Sequence, residues 1–313
     1  MSTPITHEAV INVSEGRRRA TLEALAASAR DSLLDVHVDA DHNRSVFTLG
    51  SHDREQLAFA ARALAHAAWQ LIDLQHHDGV HPRHGVVDVV PFVDLRNWHE
   101  RGEGPSADAI ELREAFGRWC EEAGVAARRY GADIGVSLPD VRRQLRSDPD
   151  SCDFCPERQA PRAGTTCVGA RGPLVAYNVW VARPDDHAAD ARDVNETLAA
   201  ARACVQEIRS SEVRALALVV GPRIQVSMNL VAPLRTGPVA AYQLVADALA
   251  RHNAATEGAE VVGLIPADCV AGASPADLLR AGISSADLLE VRVAQSADER
   301  LELVSRSLRR VPA

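Results

Sequence analysis

Two successive sets of predicted elements, each in the order strand, helix, strand, strand, helix, strand, constrain the fold more than any other feature of the chain. Apolar residues alternate in the strands and recur at helical spacing in the helices. The first set ends in the apolar strand at residues 86–93, and the second begins with the apolar strand at residues 173–181. This order predicts an α/β (α+β) fold with two mixed sheets, each covered on one face by helices.

The predicted elements divide the chain near Pro173 into an N-terminal subdomain, residues 1–172, and a C-terminal subdomain, residues 173–313, which includes the C-terminal helices. Residues 131–172 are rich in proline, glycine, arginine and aspartate, and we interpret them as loop except for a short helix near residues 141–145. The other predictions are strands at residues 9–13, 32–38, 45–50, 125–130, 215–220, 223–230 and 260–265, and helices at residues 17–30, 54–74, 106–124, 190–208, 238–251, 274–281, 284–292 and 296–309.

Composition and charge exclude several classes of protein. With 313 residues, of which 46% are hydrophobic, the chain can bury a substantial core. Its net charge of -9 opposes binding to nucleic acid through phosphate neutralisation. The N-terminal residues lack the features of a secretory leader, and no run reaches the roughly 20 apolar residues that span a bilayer. We therefore expect a cytoplasmic protein that binds neither nucleic acid nor a membrane.

The six cysteines are too few and too irregularly spaced for a disulfide scaffold, so we expect reduced thiols. Cys152 and Cys155 form a CxxC motif, and Cys167 follows. One such pair without a second ligand pair is a weak sign of zinc. Whether these three cysteines bind metal stays open at this point.

The stretch at residues 76–94, HHDGVHPRHGVVDVVPFVD, combines chemistry that a packed helix or strand rarely contains, and it predicts a site-forming loop that leads into a buried strand. Its histidines are His76, His77, His81 and His84. His81 has the residue type for general acid–base catalysis near neutral pH, and Arg83 has the residue type for binding an anionic substrate. The alternative is a loop of solvated histidines, and composition alone does not separate the two.

Zinc is a third interpretation of this loop. His77 and His81 are four residues apart, as zinc ligands on a helix are, but Gly79 and Pro82 disfavour the helix that this spacing requires. We therefore predict no metal site here.

Two further stretches carry candidate site residues. Residues 39–44, DADHNR, form a predicted hairpin turn in which acidic side chains orient an imidazole or bind an ammonium, or are simply solvated. In the predicted strand IQVSMNL, Gln225, Ser227 and Asn229 share one face. Such a row suits hydrogen bonding to a flat polar ligand, or it is an exposed sheet face. The chain has no GxGxxG after a strand, no Walker motif and no GxSxG.

Six motifs, in order along the chain, resemble those of one known family. They are NVSEGR at residues 12–17, DADHNRSV at 39–46, HDGVHPRHGVVDVVPF at 77–92, VGARGPLVAYNV at 168–179, QVSMNL at 225–230 and VVGLIP at 261–266. The block that joins HPR to DVVPF is highly specific, and the others are moderately specific. Up to about residue 270, the chain resembles the formiminotransferase domain of glutamate formimidoyltransferases.

The resemblance implies two ferredoxin-like-type subdomains that face each other across a ligand tunnel, in a homodimer. It also implies transfer of the formimino group of N-formimino-L-glutamate to N5 of tetrahydrofolate, a co-substrate, in histidine degradation. His81 corresponds to the family's catalytic histidine. Within this family, the candidates for substrate binding are Arg83, Asp39, Asp41 and Arg44, and the candidates for folate binding are Gln225, Ser227, Asn229 and Gly169.

The chain departs from the family pattern after its predicted fifth strand. Where the family has Tyr-Glu-Glu, this chain has Tyr130, Gly131 and Ala132, and the segment up to residue 164 diverges, with Cys155 where glycine is common. Two alternatives therefore stay open: a related formyl or formimino transferase that uses another amine donor, and a non-catalytic folate-binding paralogue.

Overall fold

The computed structural model describes residues 5–79, 83–101, 104–160, 162–182, 191–309 and 311. The chain forms two compact units, Met1–Gly172 together with Arg292–Ala313, and Pro173–Val291. Among the helices of the described residues, none is both long and apolar enough to cross a membrane.

The elements, in chain order, are β1 (His7–Val13), α1 (Arg19–Ser28), β2 (Leu33–Asp39), β3 (Arg44–Ser51), α2 (Arg54–Leu71), β4 (Val87–Asp94), α3 (Trp98–Arg101), α4 (Ala107–Glu122), β5 (Ala126–Tyr130), α5 (Leu138–Ser147), β6 (Thr165–Arg171), β7 (Val175–Val181), α6 (Ala191–Ile208), β8 (Val213–Val220), β9 (Arg223–Leu230), α7 (Pro238–Arg251), β10 (Thr256–Val262), α8 (Pro275–Arg280), α9 (Leu289–Ala294) and α10 (Ala297–Leu308).

The first unit has a six-stranded mixed sheet in the order β2-β3-β1-β4-β6-β5. Its first four strands are antiparallel neighbours, and with α1 and α2 they form the split βαβ arrangement of ferredoxin-like folds. Strands β6 and β5 extend this arrangement in parallel beyond β4. The core lies between one sheet face and the helices, where Ile11, Phe47 and Phe92 meet Leu25 and Leu64.

The helices of the first unit begin where the sequence provides caps. The Asp53 side chain accepts the backbone N–H of Glu55 at the start of α2, and the Ser106 side chain accepts that of Ala109 at the start of α4. In α2, the buried positions recur at helical spacing and form one apolar stripe against the sheet. The stripe contains Leu57, Ala61, Leu64, Ala65 and Ala68.

The second unit repeats the same order of elements from β7 to β10, with a four-stranded sheet in the order β10-β7-β9-β8. Tyr177, Val226 and Met228 are buried, and the Tyr177 hydroxyl donates to the carbonyl of Ala281 over 2.7 Å. The prediction of two sheets covered by helices is confirmed. The second sheet is antiparallel throughout rather than mixed, because it lacks strands added in parallel to the βαββαβ arrangement.

Strand β6 was not predicted, since residues 131–172 were interpreted mainly as loop. It lies inside the first sheet between β4 and β5, and six of its seven residues are buried. Because both of its faces are covered, its sequence TTCVGAR lacks the alternation that marks a half-buried strand. Its threonines and Gly169 also interrupt the apolar run that would mark a central strand.

Helix α10 belongs to the first unit and not, as predicted, to the second subdomain. Residues 292–313 were assigned to that subdomain, but they belong to the first unit. The Arg300 guanidinium donates to the carbonyls of Leu33 (2.7 Å) and Asp31 (3.1 Å), and Val304 and Leu308 join the first core. The sequence of an amphipathic helix predicts that its apolar side is buried, but it does not specify the surface against which that side packs.

Candidate active site

Three connections of the first unit are joined by hydrogen bonds at one end of its sheet. They are the β1–α1 connection (residues 14–18), the β2–β3 turn (residues 40–43) and the α2–β4 connection (residues 72–86). The predicted catalytic residue His81, with its neighbours Val80 and Pro82, lies outside the described residues. The described part of the site consists of residues in these three connections.

Asn43 holds the three connections together. Its side-chain oxygen accepts the backbone N–H of Gly16 (2.9 Å), and its amide nitrogen donates to the carbonyl of Asp78 (2.7 Å). Its own carbonyl lies 2.8 Å from Nε2 of His77. With φ of 48°, Asn43 is in the left-handed region, which asparagine tolerates better than most residues. The position of Asn43 in DHNR indicated a turn, but its partners are too distant in sequence to be inferred.

Gly16 is required by the close approach of two backbones. A Cβ atom on Gly16 would lie 2.3 Å from the carbonyl oxygen of Asp39 and 2.5 Å from the backbone nitrogen of Arg44. No side chain fits there without moving the hairpin. The β1–α1 connection therefore packs directly on the β2–β3 turn.

The start of α1 is stabilised by the side chain of Glu15 and not by that of Ser14. Glu15 is buried, and its Oε1 accepts the backbone N–H groups of Arg17 (2.9 Å) and Arg18 (2.8 Å). Ser14 instead donates its hydroxyl to the carbonyl of Gly85 over 2.8 Å. The Glu15 carboxylate also pairs with the Arg18 guanidinium, and a negative charge is favourable at the start of a helix.

The hairpin residues predicted to bind substrate have different environments. Both carboxylate oxygens of Asp39 contact His42, through its backbone N–H (2.8 Å) and its ring Nδ1 (2.6 Å). Burial acts to raise the Asp39 pKa, but these two hydrogen bonds outweigh it, and the pKa lies below its ordinary value. Asp41 is exposed. Asp39 therefore orients His42, and Asp41 faces solvent.

Arg44 lies behind the hairpin in a buried charge cluster. One of its terminal nitrogens donates to Oδ1 of Asn12. Burial lowers the pKa of the Arg44 guanidinium to about 10, and the nearby carboxylate of Asp88 opposes this change. Asp88 itself is 2% exposed, accepting the backbone N–H of His84 and a guanidinium N–H of Arg142, each over 2.8 Å. The sequence assigned no role to Asp88, although a lone carboxylate in the apolar run VVDVV must find partners.

Arg83 stabilises its own loop through hydrogen bonds to backbone carbonyls. Its guanidinium donates to the carbonyl of Gly79 (3.1 Å) and to that of His77. Gly79 in turn packs against the hairpin, because a Cβ atom there would lie 2.4 Å from the carbonyl oxygen of His42. Arg17 adds a further contact between connections, with its NH1 3.0 Å from Oδ1 of Asp78.

The three described histidines of the loop differ in exposure. The His76 side chain is mostly exposed and lies near Asp73. Burial lowers the pKa of His77 and of His84, and nearby cations act in the same direction, Arg83 on His77 and Arg142 on His84. These two rings are therefore parts of the scaffold that remain neutral near pH 7.

A buried carboxyl on β1 was also missed. Glu8 lies on the face of the strand opposite Ala9 and Ile11, and burial raises its pKa to about 7, while the cation of Arg171 opposes this change. A carboxyl with such a pKa can carry a proton near neutral pH. The alternation of β1 places Glu8 on this face, but no sequence signal indicated its burial.

Gly169, predicted to bind folate, lies in the middle of β6. A Cβ atom there would lie 2.1 Å from the ring of Tyr130 on the neighbouring strand. Packing therefore explains glycine at position 169, because the Tyr130 ring covers it and leaves no space for a side chain.

In the second unit, the polar row predicted on β9 has graded exposure. Gln225 is buried, Ser227 is half-buried and Asn229 is exposed, whereas the alternating Val226 and Met228 are buried. Oε1 of Glu260 on β10 accepts from the amides of Asn178 (3.1 Å) and Gln225 (3.2 Å). The row is thus a polar strand face whose buried end is fixed by a carboxylate.

The cysteines correct one expectation. Cys152 and Cys155 form a disulfide, with Cα atoms 5.4 Å apart, so the expectation of reduced thiols is wrong for this pair. Between them, Phe154 is buried, and the backbone N–H groups of Asp153 and Phe154 both donate to the carbonyl of Ala127. Disulfide sulfurs do not offer the thiolates that bind zinc. The free cysteines Cys120, Cys167, Cys204 and Cys269 are buried.

Comparison with known proteins identifies the family. The family model of the formiminotransferase domain, N-terminal subdomain, matches residues 6–171. The chain is 28% identical to the glutamate formimidoyltransferase of Thermoplasma acidophilum over 317 residues, covering 93% of this chain and 98% of that protein. It is 31% identical to the glutamate formimidoyltransferase of Streptococcus pyogenes over 284 residues, covering 83% and 89%.

A longer relative has a comparable level of sequence identity to this chain. The formimidoyltransferase-cyclodeaminase of Sus scrofa is 30% identical over 280 residues, which cover 83% of this chain and 50% of that protein. The resemblance inferred from the sequence motifs is confirmed. Because the family model matches more than half of the chain and the relatives align along most of it, the chain belongs to the formiminotransferase family.

Proposed function

We propose that this protein transfers the formimino group of N-formimino-L-glutamate to N5 of tetrahydrofolate, its co-substrate. The observation that supports this most strongly is the anchoring of the HPR loop, residues 77–85, in a chain that belongs to the family. Gly79 packs against the hairpin, and the Arg83 guanidinium donates to the carbonyl of Gly79. The side chain of Asn43 links the loop, at the carbonyl of Asp78, to the β1–α1 connection. Such bracing from several elements is what a catalytic group needs to be held in place.

His81 is the proposed acid–base group, on the basis of its position in HPR. When N5 attacks the formimino carbon, a tetrahedral intermediate forms, and N5 must lose a proton. The glutamate nitrogen must then gain a proton to leave. One imidazole can accept the first proton and donate the second, because its pKa is close to neutral.

The residues proposed to bind substrate divide by their contacts. Arg83 is half-buried and binds two backbone carbonyls, and a guanidinium has five N–H donors, so it can also bind a substrate carboxylate. Arg44 supplies positive charge from within the buried cluster. Asp39 acts through His42, and the exposed Asp41 is available to the cationic amidine of the formimino group.

The polar face of β9 is proposed to bind tetrahydrofolate. Ser227 and Asn229 offer hydroxyl and amide groups that suit the flat, polar pterin ring, and Gln225 fixes the face through Glu260. Gly169, the other residue proposed for folate binding, lies in the first unit, where the Tyr130 ring packs directly against it. We also propose a homodimer, to be tested by light scattering after size-exclusion chromatography.

The test is turnover of formiminoglutamate with tetrahydrofolate, followed by the absorbance of 5-formimino-tetrahydrofolate. We expect His81→Ala to lose at least a hundredfold in kcat, in line with the usual contribution of a general acid–base group. His84→Ala, three residues away, is the matched control and should keep most of the activity. Full transfer by His81→Ala would refute the assigned mechanism.

The same assay separates the alternatives. Segment 131–164 diverges from the family, and its Asp133 is held by two hydrogen bonds from Arg113 (2.9 and 2.8 Å). Donor specificity is therefore tested with formylglutamate and formiminoglycine alongside formiminoglutamate. Turnover of only one of the other donors would indicate a related transferase, and folate binding without any transfer would indicate a non-catalytic paralogue.

A further inference from the structure

Three ligand-type side chains converge at the other end of β1, away from the HPR loop. His7 begins β1 and pairs directly with Asp94 at the end of β4, and Asp108 lies in the first turn of α4. His7 is 3% exposed and Asp94 is 2% exposed. One ligand atom from each of the three side chains lies within 4.8 Å of the other two.

Hydrogen bonds define which nitrogen of His7 carries a proton. The hydroxyl of Thr6 donates its single hydrogen to the carbonyl of His52 (3.0 Å). The Thr6 oxygen must therefore accept in its 2.8 Å contact with Nδ1 of His7, so Nδ1 carries the hydrogen. In the neutral ring, Nε2 then holds a lone pair. The same pattern, Nδ1–H to an oxygen, orients histidines that bind metals through Nε2.

Nε2 of His7 is buried and makes no hydrogen bond with any described residue. Oδ2 of Asp108 lies 3.5 Å from Nε2, beyond the distance of a good hydrogen bond. A lone pair beside a carboxylate oxygen is unfavourable unless a cation lies between them.

Arg96 competes for the two carboxylates. One of its terminal nitrogens donates to Oδ2 of Asp94 (2.9 Å) and to Oδ2 of Asp108, and Arg54 lies 3.2 Å from the other oxygen of Asp108. These contacts leave Nε2 of His7 unsatisfied. The Arg96 side chain is 47% exposed and lines an open cavity of about 450 Å³ with Asn97 and Glu100, so it has space to withdraw.

We propose that His7, Asp94 and Asp108 form a binding site for a divalent transition-metal ion of the zinc class, with Arg96 as the competing cation. One imidazole nitrogen and two carboxylate oxygens are ligands that zinc and cobalt accept, and water completes the coordination. The ion joins β1, β4 and α4. Since β1 is seven residues long, the site is about 20 Å from the connections at the other end of that strand. The ion therefore has a structural role.

The test is a titration of the metal-stripped, untagged protein with CoCl2, followed by visible absorption, and with ZnCl2 by calorimetry. No reductant is added, so that Cys152 and Cys155 stay oxidised. We expect one equivalent to bind. His7→Gln should weaken binding at least tenfold, and Arg96→Gln should tighten it about tenfold because the competing cation is gone. His252→Gln, a histidine far along the chain beside Glu207, should bind like the wild type.

Asp108→Asn provides a second variant at a partly exposed position, where loss of folding is not expected. It should weaken binding like His7→Gln, with an unchanged far-ultraviolet circular dichroism spectrum. Binding of one equivalent by wild type that persists unchanged in both variants would overturn the proposal. Absence of any binding by both wild type and Arg96→Gln would also overturn it.

Discussion

The two units share one order of elements but carry the polar groups of their candidate sites in different places. In the first unit, these groups lie in connections at one end of the sheet and bind backbone atoms of other connections. In the second unit, they lie on the face of β9 and its neighbours, and the buried ones bind each other through Glu260. Changes in the first network should therefore move backbone, whereas changes in the second should stay local.

The largest expected difference is between two glycines. In Gly16→Ala, the new methyl group meets two backbone atoms, and we expect a loss of about 2 to 3 kcal/mol in the free energy of unfolding together with lost turnover. Gly258→Ala in β10 has no atom within 4 Å of its new methyl group and should change stability by less than about 0.5 kcal/mol. Urea unfolding followed by tryptophan fluorescence measures both. Equal effects would show that the close approach at Gly16 relaxes without cost.

The next difference is between two asparagines in the left-handed region. Asn43→Gly keeps the conformation but removes two buried hydrogen bonds, so we expect a loss of about 2 kcal/mol. Asn253→Gly, at φ of 54° but exposed, should change stability by less than about 0.5 kcal/mol. Thermal unfolding of both variants tests this. A neutral Asn43→Gly would mean that the three connections are held mainly by packing.

On β9, stability and ligand binding should separate. Gln225→Ala leaves a cavity and removes a partner of Glu260, which should cost about 1 kcal/mol of stability. Asn229→Ala is exposed and should leave stability unchanged, but it should weaken tetrahydrofolate binding about fivefold if the face binds folate. Fluorescence titration with tetrahydrofolate measures this. Unchanged affinity in Asn229→Ala would remove the exposed end of the row from the proposed folate site.

The smallest expected effect is a pH dependence of the first unit. The pKa of His77 is lowered in the folded protein, so its contribution to stability is present above the unfolded pKa near 6.5 and is lost as the pH falls. His77→Gln should therefore lose less stability than wild type between pH 7 and pH 5. Urea midpoints measured across this range test the sign. A steeper loss in the variant would contradict it.

The order of strands and helices in both units and the polar row of β9 were predictable, because hydrophobic periodicity and strand alternation are local properties of the sequence. The HPR loop was also recognised, since its residues are too polar and too conformationally restricted for a packed element. The role of Asn43 was not predictable. Its partners at Gly16, His77 and Asp78 are 27 to 35 residues away, and only packing brings them together.

Two other misses share a physical cause. Strand β6 is buried on both faces, so it carries no alternation. The Cys152–Cys155 disulfide lies in a segment whose residue Phe154 is buried in the first core, and the number and spacing of the cysteines do not reveal that packing. In both cases, the signal lies in what the segment packs against and not in its own residues.

The attachment of α10 to the first unit also sets an order in time. Because synthesis proceeds from the N-terminus, residues 297–308 leave the ribosome only after all of residues 173–291 have emerged. The second unit then has its complete sequence before the first does, although the first begins earlier. Until α10 arrives, the carbonyls of Asp31 and Leu33 lack Arg300, and the nascent first unit exposes the apolar surface that Val304 and Leu308 later cover.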